Sequence, residues 1–314
     1  MFLRRSLRKL EYTVGNRVRF MSEVTDLSST PVVNPVVAKI VDDIGKHVQN
    51  KNSHLFSASL RQLFAHSDNK ILPILDYFVP LMTTEFIDSM DHEIVYVLDT
   101  LGRSNLKVNF KREREMVLRM LKRLGTLNEG LNPLRISTAI VAVSRMGLSH
   151  VRLSKSYALN VFLNKVVSFI PTMTGRELVQ TLHALQRMDV TSEYLHKSFI
   201  SNVTARLKVV APEIQDDYKA NLLFSLGRLG FHVEKDAEWR KLMCQLAEDA
   251  LNSKSSNNIF VDKNLGTSSN FSIIAMGLSS MYIPFRELTP TLRKTIIKAF
   301  ETKNKTEFSL VVAS

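Results

Sequence analysis

The chain has 314 residues, a formal net charge of +12 and a hydrophobic content of 45%. This composition is that of a globular protein, and no run approaches the ~20 apolar residues that span a membrane. One cysteine, Cys244, excludes a disulfide framework or a cysteine-based zinc site within this chain, and we expect it to be a small buried apolar residue. The positive charge favours anionic partners such as nucleic acid.

The N-terminal segment 1–20 resembles a mitochondrial transit peptide, which is typically Arg-rich, acid-poor and amphipathic. Glu11 is the single acid among six cations, which are Arg4, Arg5, Arg8, Lys9, Arg17 and Arg19. Removing six positive charges and one negative charge from +12 leaves +7, so the remaining chain is still basic. We predict a matrix location, and the alternative is a basic arm that binds RNA or a partner.

Residues 21–35 contain Pro31 and Pro35 and are predicted to be a linker. Residues 36–90 are predicted to be N-terminal capping helices with one degenerate repeat. Within them a helix is expected from about 36 to 48, and a hairpin from 53–67 and 70–82 in which two prolines kink the second helix.

A helical stretch recurs five times between residues 91 and 304. Its copies begin at Glu93, Arg135, Glu177, Tyr218 and Asn270. Aligned without gaps, they place a predicted turn at Gly102, Gly147, Asp189, Gly230 and Tyr282, so that the sequence number advances by 45, 42, 41 and 52 from one turn to the next. Leu or Met precedes each turn, and a small residue inside four of the apolar stripes predicts a closely crossing neighbour helix.

A second helix is expected after each copy, and helix start signals occur at Thr174, Asn132 and Thr289. HEAT and armadillo solenoids repeat at ~40–47 residues. The prediction is therefore an all-α fold, an α-solenoid of stacked antiparallel helix hairpins with about five clear repeats and a degenerate N-terminal one. A polar loop is expected at 252–270 and an apolar tail at 305–314.

No catalytic motif is present, and the eight histidines lack metal-ligand spacing. The acidic group Asp88, Asp91 and Glu93 precedes a helix, where carboxylates accept from free N–H groups. We therefore expect no enzyme activity, metal, cofactor or small-molecule substrate.

Arg145, Arg187 and Arg228 occupy the same place in three consecutive copies, two residues before the turn. Equivalent positions of a solenoid line up along one edge, and a guanidinium suits phosphate. We predict that these arginines contact an RNA backbone. The alternative is that each one only favours the C-terminal dipole of its own helix.

A second basic cluster lies in the helix after the first copy. It consists of Lys111, Arg112, Arg114, Arg119, Lys122 and Arg123. Glu113 and Glu115 can neutralise part of it, but the excess predicts phosphate contacts, above all by Lys111, Arg112, Arg119, Lys122 and Arg123. Aromatic residues are not interleaved with this cluster, so base-specific recognition is not expected.

The repeated stretch, with Leu or Met before Gly and Arg two residues before the turn, resembles octotricopeptide and heptatricopeptide proteins and the helical region of FAST-kinase-like proteins. The resemblance implies an RNA-associated scaffold without catalysis, acting in organellar RNA processing, editing or ribosome assembly. The final copy lacks both Arg and Gly, which favours a subunit of a larger ribonucleoprotein in which some repeats contact other proteins. The alternative is a protein-only scaffold of a mitochondrial complex that touches no nucleic acid.

Overall fold

The computed structural model describes residues 35–66, 78–104, 108, 111–149, 156–232, 236–252 and 270–302. Among these residues the regular structure is entirely helical, with no strand, which confirms the all-α prediction. The predicted transit peptide, nearly all of the linker and the polar loop, and the tail lie outside the described residues. The helix predicted to pair with residues 53–67 also lies largely outside them.

The chain forms two compact units. Of the described residues, the first unit contains those up to 131 with 145–147 and 157–162, and the second contains those in 132–144, in 148–156 and from 163 onward. In chain order the longer helices are α1 (Pro35–Gln49), α2 (Ser53–His66), α3 (Thr84–Asp88), α4 (Glu93–Arg103), α5 (Lys111–Thr126), α6 (Pro133–Arg145), α7 (Tyr157–Phe169), α8 (Gly175–Arg187), α9 (Phe199–Val210), α10 (Asp216–Arg228), α11 (Ala237–Asn252), α12 (Asn270–Ser280) and α13 (Pro290–Thr302).

The first unit has its core where α2 packs against α1 and α4. Phe56 of α2 is buried there and meets Phe86 of α3 edge-on, with ring centroids 5.1 Å apart. Ile44 of α1 and Leu98 of α4 are fully buried. Apolar residues at helical spacing therefore account for these elements, as the periodicity predicts.

The second unit is organised around α10, which contacts α8, α11 and α12. Leu222 and Leu226 of α10 are fully buried. The closest approach is to α12, where a Cβ placed on Gly277 would lie 2.7 Å from the carbonyl carbon of Leu223. A neighbouring helix thus crosses at the small residue of the repeated stretch, as predicted.

The predicted helix starts are confirmed in detail. Thr174 and Glu177 form a capping box, in which each side chain accepts from the backbone N–H of the other residue. The Asn132 side chain accepts from the Arg135 N–H at 2.9 Å, and Thr289 Oγ1 accepts from the Leu292 N–H at 3.2 Å. Local hydrogen bonding therefore sets where α6, α8 and α13 begin.

Four of the five predicted turn positions have the left-handed backbone that ends a helix. Their φ angles are +75° at Gly147, +54° at Asp189, +83° at Gly230 and +57° at Tyr282. The last three end their helices with one hydrogen-bond pattern, in which the N–H just after the turn reaches a carbonyl five residues back. These bonds join Val190 to Leu185 at 3.1 Å, Phe231 to Leu226 at 3.1 Å and Ile283 to Leu278 at 3.2 Å.

The predicted turn at Gly102 is wrong. Gly102 lies inside α4, which continues to Arg103 and is capped by Ser104. The Ser104 N–H donates to the Thr100 carbonyl at 3.1 Å. In α8 the equivalent capping residue is Met188, whose N–H donates to the Ala184 carbonyl. The first copy must therefore be shifted by three residues.

The gapless alignment places Val97 at the position where the other four copies have a small residue, and Leu98 at the apolar position that follows it. In the corrected alignment Thr100 and Leu101 take these two positions. Helices α4, α6, α8 and α10 now all end on arginine, at Arg103, Arg145, Arg187 and Arg228. From each of these arginines to the next, the sequence number advances by 42, 42 and 41. The repeat is more regular than the gapless alignment on Leu-Gly suggests.

Candidate nucleic-acid interface

Successive helix ends of the second unit touch one another through their turns. Ser149 Oγ donates to Asp189 Oδ2 at 3.2 Å, across one repeat interval. The Ser192 N–H donates to the Leu229 carbonyl at 3.1 Å, and the rings of His232 and Tyr282 lie 4.8 Å apart. We call the surface formed by residues 187–194, 228–232 and 281–287 the turn edge.

Arg187 and Arg228 lie on the turn edge as the last residues of α8 and α10. Both side chains are exposed, and within the described part of the chain neither guanidinium forms a hydrogen bond or an ion pair. Because the turns that follow α8 and α10 are in contact, these two predicted site residues lie at the ends of neighbouring helices. Arg145 is half-buried at the end of α6 and belongs to the first unit.

Arg103 is a member of the arginine series that the sequence alignment misses. It is exposed at the end of α4, and its Nε donates to Asp99 Oδ2 one turn earlier, at 2.8 Å. Aligning the copies on arginine instead of glycine would have found it. Its ion pair shows that a helix-terminal arginine of this series can also be neutralised within its own helix.

The basic cluster of α5 lies on the exposed side of an amphipathic helix. Met116, Val117, Met120, Leu121 and Leu124 form the buried side. Arg112, Arg119 and Lys122 share the exposed side with Glu115, whose carboxylate lies 3.9 Å from nitrogens of both Lys111 and Arg119. Arg112 and Lys122 have no partner among the described residues.

Arg123, the fifth predicted contact in α5, is held inside the first unit. Its Nε donates to the Met90 carbonyl at 2.9 Å, and its terminal nitrogen lies 3.1 Å from Asp91 Oδ1. The guanidinium thereby fixes the segment that leads into α4. Its geometry gives it a structural role, because its donors are directed at the protein.

The acidic group beside Arg123 is organised as a helix start. Glu93 is buried at the beginning of α4 and accepts from the Asp91 N–H at 3.2 Å. No group of three or more His, Cys, Asp or Glu side chains that could hold a metal ion occurs in the described ranges. Glu93 therefore satisfies a local backbone donor, as its position at the helix start predicts, while Asp91 pairs with Arg123.

A buried charge cluster that the sequence pattern does not indicate joins α10 to α11. Lys219, with a side chain only 8% exposed, donates at 2.7 Å to both Asp216 and Asp249. Burial alone would lower the pKa of Lys219, but the hydrogen bonds and charges of the two carboxylates outweigh it and raise the pKa. Burial raises the pKa of Asp249, yet hydrogen bonds from Lys219 and Gln245 bring it below its usual value.

Lys219 could not have been distinguished from a surface lysine by sequence pattern. Asp216 lies three residues before it on the same helix, but Asp249 belongs to α11 and is 30 residues later in the sequence. Because its three donors are shared between two acids and its side chain is buried, this cation contributes to packing and not to an external surface.

Cys244 is buried in α11, as predicted for a small apolar residue. Burial raises the pKa of its thiol, which therefore stays protonated at neutral pH and is a poor nucleophile. No helix among the described residues is long and apolar enough to cross a membrane.

Comparison with known proteins assigns no family to the chain. No protein-family model matches it, and no curated protein is significantly similar to it. The resemblance to organellar helical-repeat proteins therefore stays a prediction that rests on residue pattern.

Proposed function

We propose that this chain is a non-catalytic RNA-binding protein that contacts the phosphate backbone through arginines at the ends of repeated helices. The observation that supports the proposal best is that α4, α6, α8 and α10 each end on arginine, at the nearly constant spacing of positions 103, 145, 187 and 228. Stability alone does not require arginine at every one of these ends, because lysine or histidine also complements a helix C-terminus.

The proposal includes an α-solenoid of stacked hairpins. Its support is the common way in which α8, α10 and α12 end, and the contacts between the turns that follow them. In a solenoid each repeat contacts its neighbours, so equivalent side chains fall along one edge. The regular spacing of the helix-terminal arginines agrees with the period of HEAT and armadillo arrays.

Arg187 and Arg228 are the residues to which we assign phosphate contacts first. They lie at adjacent, touching helix ends, are exposed, and have no partner among the described residues. A guanidinium offers a planar pair of donors that matches phosphate oxygens, and two such groups on neighbouring helices can bind phosphates of the same strand. Contacts of this kind position a strand without selecting its sequence.

The exposed side of α5 is the second proposed phosphate contact. Arg112 and Lys122 keep their full charge there, while Glu115 partly neutralises Lys111 and Arg119. Exposed ion pairs contribute only about 0–1 kcal/mol, so a phosphate can displace Glu115 at little cost. Arg145 and Arg123 are weaker candidates, since Arg145 is half-buried and Arg123 is bound to Met90 and Asp91.

The cellular setting belongs to the same proposal. The Arg-rich segment 1–20 supports import into the mitochondrial matrix, and the remaining charge of +7 supports a polyanionic partner there. We place the chain in a ribonucleoprotein assembly for mitochondrial RNA processing, editing or ribosome assembly. Other protein subunits would cover the surfaces that RNA does not occupy.

A protein-only scaffold is the second candidate. It is supported by Arg103 and Arg123, whose guanidinium groups are bound to Asp99 and Asp91. If the remaining arginines meet acidic partner proteins instead of phosphates, the same surface needs no nucleic acid. This alternative predicts little affinity for RNA at physiological salt.

RNA binding by the full-length chain, titrated across salt concentration, tests the proposal. An Arg187→Ala, Arg228→Ala double variant should have a shallower salt dependence, by roughly 1.4 in the slope of log K against log salt for two phosphate contacts on a single strand. The matched control is Lys241→Ala, Lys294→Ala, which removes two exposed charges from α11 and α13. Equal slopes for the two double variants, or no binding by the wild type, would refute the proposed role.

A further inference from the structure

Tyr282 occupies a position that suits glycine. It has a φ of +57°, and the corresponding positions after α6 and α10 are Gly147 and Gly230. A bulky side chain at positive φ is disfavoured, because its Cβ crowds the backbone. Tyr282 is nevertheless 59% exposed, so burial of the ring does not explain why an aromatic residue stands here.

Two further exposed rings belong to the turn edge, and one of them lies against Tyr282. His232, from the turn after α10, is exposed and has its ring centroid 4.8 Å from that of Tyr282, with 41° between the ring planes. Phe285 follows Tyr282 by three residues and is 48% exposed. We call His232, Tyr282 and Phe285 the aromatic patch, which two consecutive turns present to solvent.

Cations flank the aromatic patch in the sequence of both turns. Arg228 precedes His232 by four residues, and Arg286 directly follows Phe285. Both are exposed and have no partner among the described residues. The acid next to Arg286, Glu287, is ion-paired with Arg240 of α11, so it does not neutralise Arg286.

Exposed rings together with uncompensated arginines are the chemistry that binds single-stranded nucleic acid, whose bases stack on aromatic groups while its phosphates meet cations. A base-paired duplex keeps its base faces inside the stack and cannot use the rings in this way. An apolar protein surface would use the rings but would leave the guanidinium groups without counter-charges. The charges therefore favour a nucleic acid strand.

We propose that the aromatic patch stacks unpaired bases of single-stranded RNA, with Tyr282 as the central ring and Arg228 and Arg286 against the adjoining phosphates. This inference rests on the proposed RNA-binding function and adds base stacking and a preference for single strands. Binding then explains why a tyrosine, and not a glycine, stands at this left-handed helix end, in line with the use of unfavourable backbone conformations at functional positions.

Tyr282→Gly is the decisive variant, because glycine adopts positive φ without strain and the folded chain should be no less stable. Binding of the full-length protein to a fluorescent oligouridine strand should weaken at least about fivefold, since stacking of one base on an aromatic side chain contributes about 1 kcal/mol or more. Tyr282→Phe keeps the ring and should bind within about twofold of wild type. The salt slope should not change, because no phosphate contact is removed.

An oligomer of the same length with abasic sites keeps the phosphates and removes the stacking partner. Wild type and Tyr282→Gly should bind this strand equally. A loss of affinity that is as large on the abasic strand as on oligouridine would overturn stacking, and so would equal binding of duplex and single-stranded RNA by the wild type.

Failure of this inference can be distinguished from failure of the proposed function. If Tyr282→Gly binds oligouridine as tightly as wild type while Arg187→Ala, Arg228→Ala flattens the salt dependence, stacking is wrong and the phosphate contacts stand. If the wild type binds neither single-stranded nor duplex RNA, both are wrong, and the aromatic patch is then a contact for another protein.

Discussion

Gly277 of α12 lies directly against the backbone of Leu223 in α10, where a Cβ would come within 2.8 Å of the Leu223 oxygen. The contact is reciprocal along the same crossing, because a Cβ on Gly227 of α10 would meet the Gly277 oxygen at 2.8 Å. Backbone atoms cannot rotate away as a flexible side chain can. Two glycines therefore set how closely these helices approach.

Gly277→Ala should destabilise the folded chain, because α12 must move away from α10 to admit the methyl group. Overpacking of this kind typically costs about 1–3 kcal/mol. Urea denaturation followed by circular dichroism measures the change. Met276→Ala, at an exposed neighbour in α12, is the control and should change stability by no more than about 0.5 kcal/mol. Equal stability of both variants would mean that the crossing is looser than the contact distances state.

Lys219→Met should also destabilise the chain, through loss of the buried cation between Asp216 and Asp249. Removing one partner of a fully buried ion pair costs ~3–5 kcal/mol, and we expect about 2 kcal/mol because both carboxylates stay partly exposed. Lys241→Met removes an exposed lysine from α11 and serves as the matched control. The prediction fails if denaturation midpoints of the two variants coincide.

The same cluster should make stability depend on pH. The pKa of Asp249 is lower in the folded chain, so its contribution is present above the usual aspartate pKa of about 3.9 and is lost as pH falls through the folded value. The raised pKa of Lys219 gives a contribution that is present below about pH 10.4 and is lost as pH rises through the folded value.

Denaturation at neutral pH and at successively lower values, through the range where aspartate titrates, measures the acid side of this dependence. Wild type should lose stability more steeply on acidification than Lys219→Met, in which Asp249 no longer has its cation. Parallel curves for the two proteins would show that the cluster does not determine the acid sensitivity.

Helix positions were predictable because their causes are local. The hydrogen bonds at these helix ends join residues only a few positions apart, as in the capping box of Thr174 and Glu177 and the turn at left-handed Gly230. They can therefore be inferred from the amino-acid sequence. The error at Gly102 arose where two local signals compete. A Leu-Gly pair matched the other copies, but the hydrogen bond from Ser104 to Thr100 places the helix end later.

The sequence did not allow us to predict whether each basic side chain has a hydrogen-bond or ion-pair partner. Arg123 and Arg228 both stand in the last turn of a helix. Arg123 is nevertheless bound to Met90 and Asp91, which lie more than 30 residues earlier in the chain, while Arg228 has no partner among the described residues. The pairing of His232 with Tyr282 likewise joins turns that follow two different helices, α10 and α12. Side-chain partners of this kind depend on which helices pack against each other.

The amino-acid sequence by itself determined the helical class, the period of the repeated stretch and most helix boundaries, because caps, glycines and apolar spacing act within one or two turns. Only the tertiary structure decided which charged side chains are paired within the protein, which helix-terminal arginines stay exposed, and which rings are in contact on the turn edge. Those outcomes depend on contacts between helices that are distant in sequence, where the free energy of burial and the available counter-charge are set by packing.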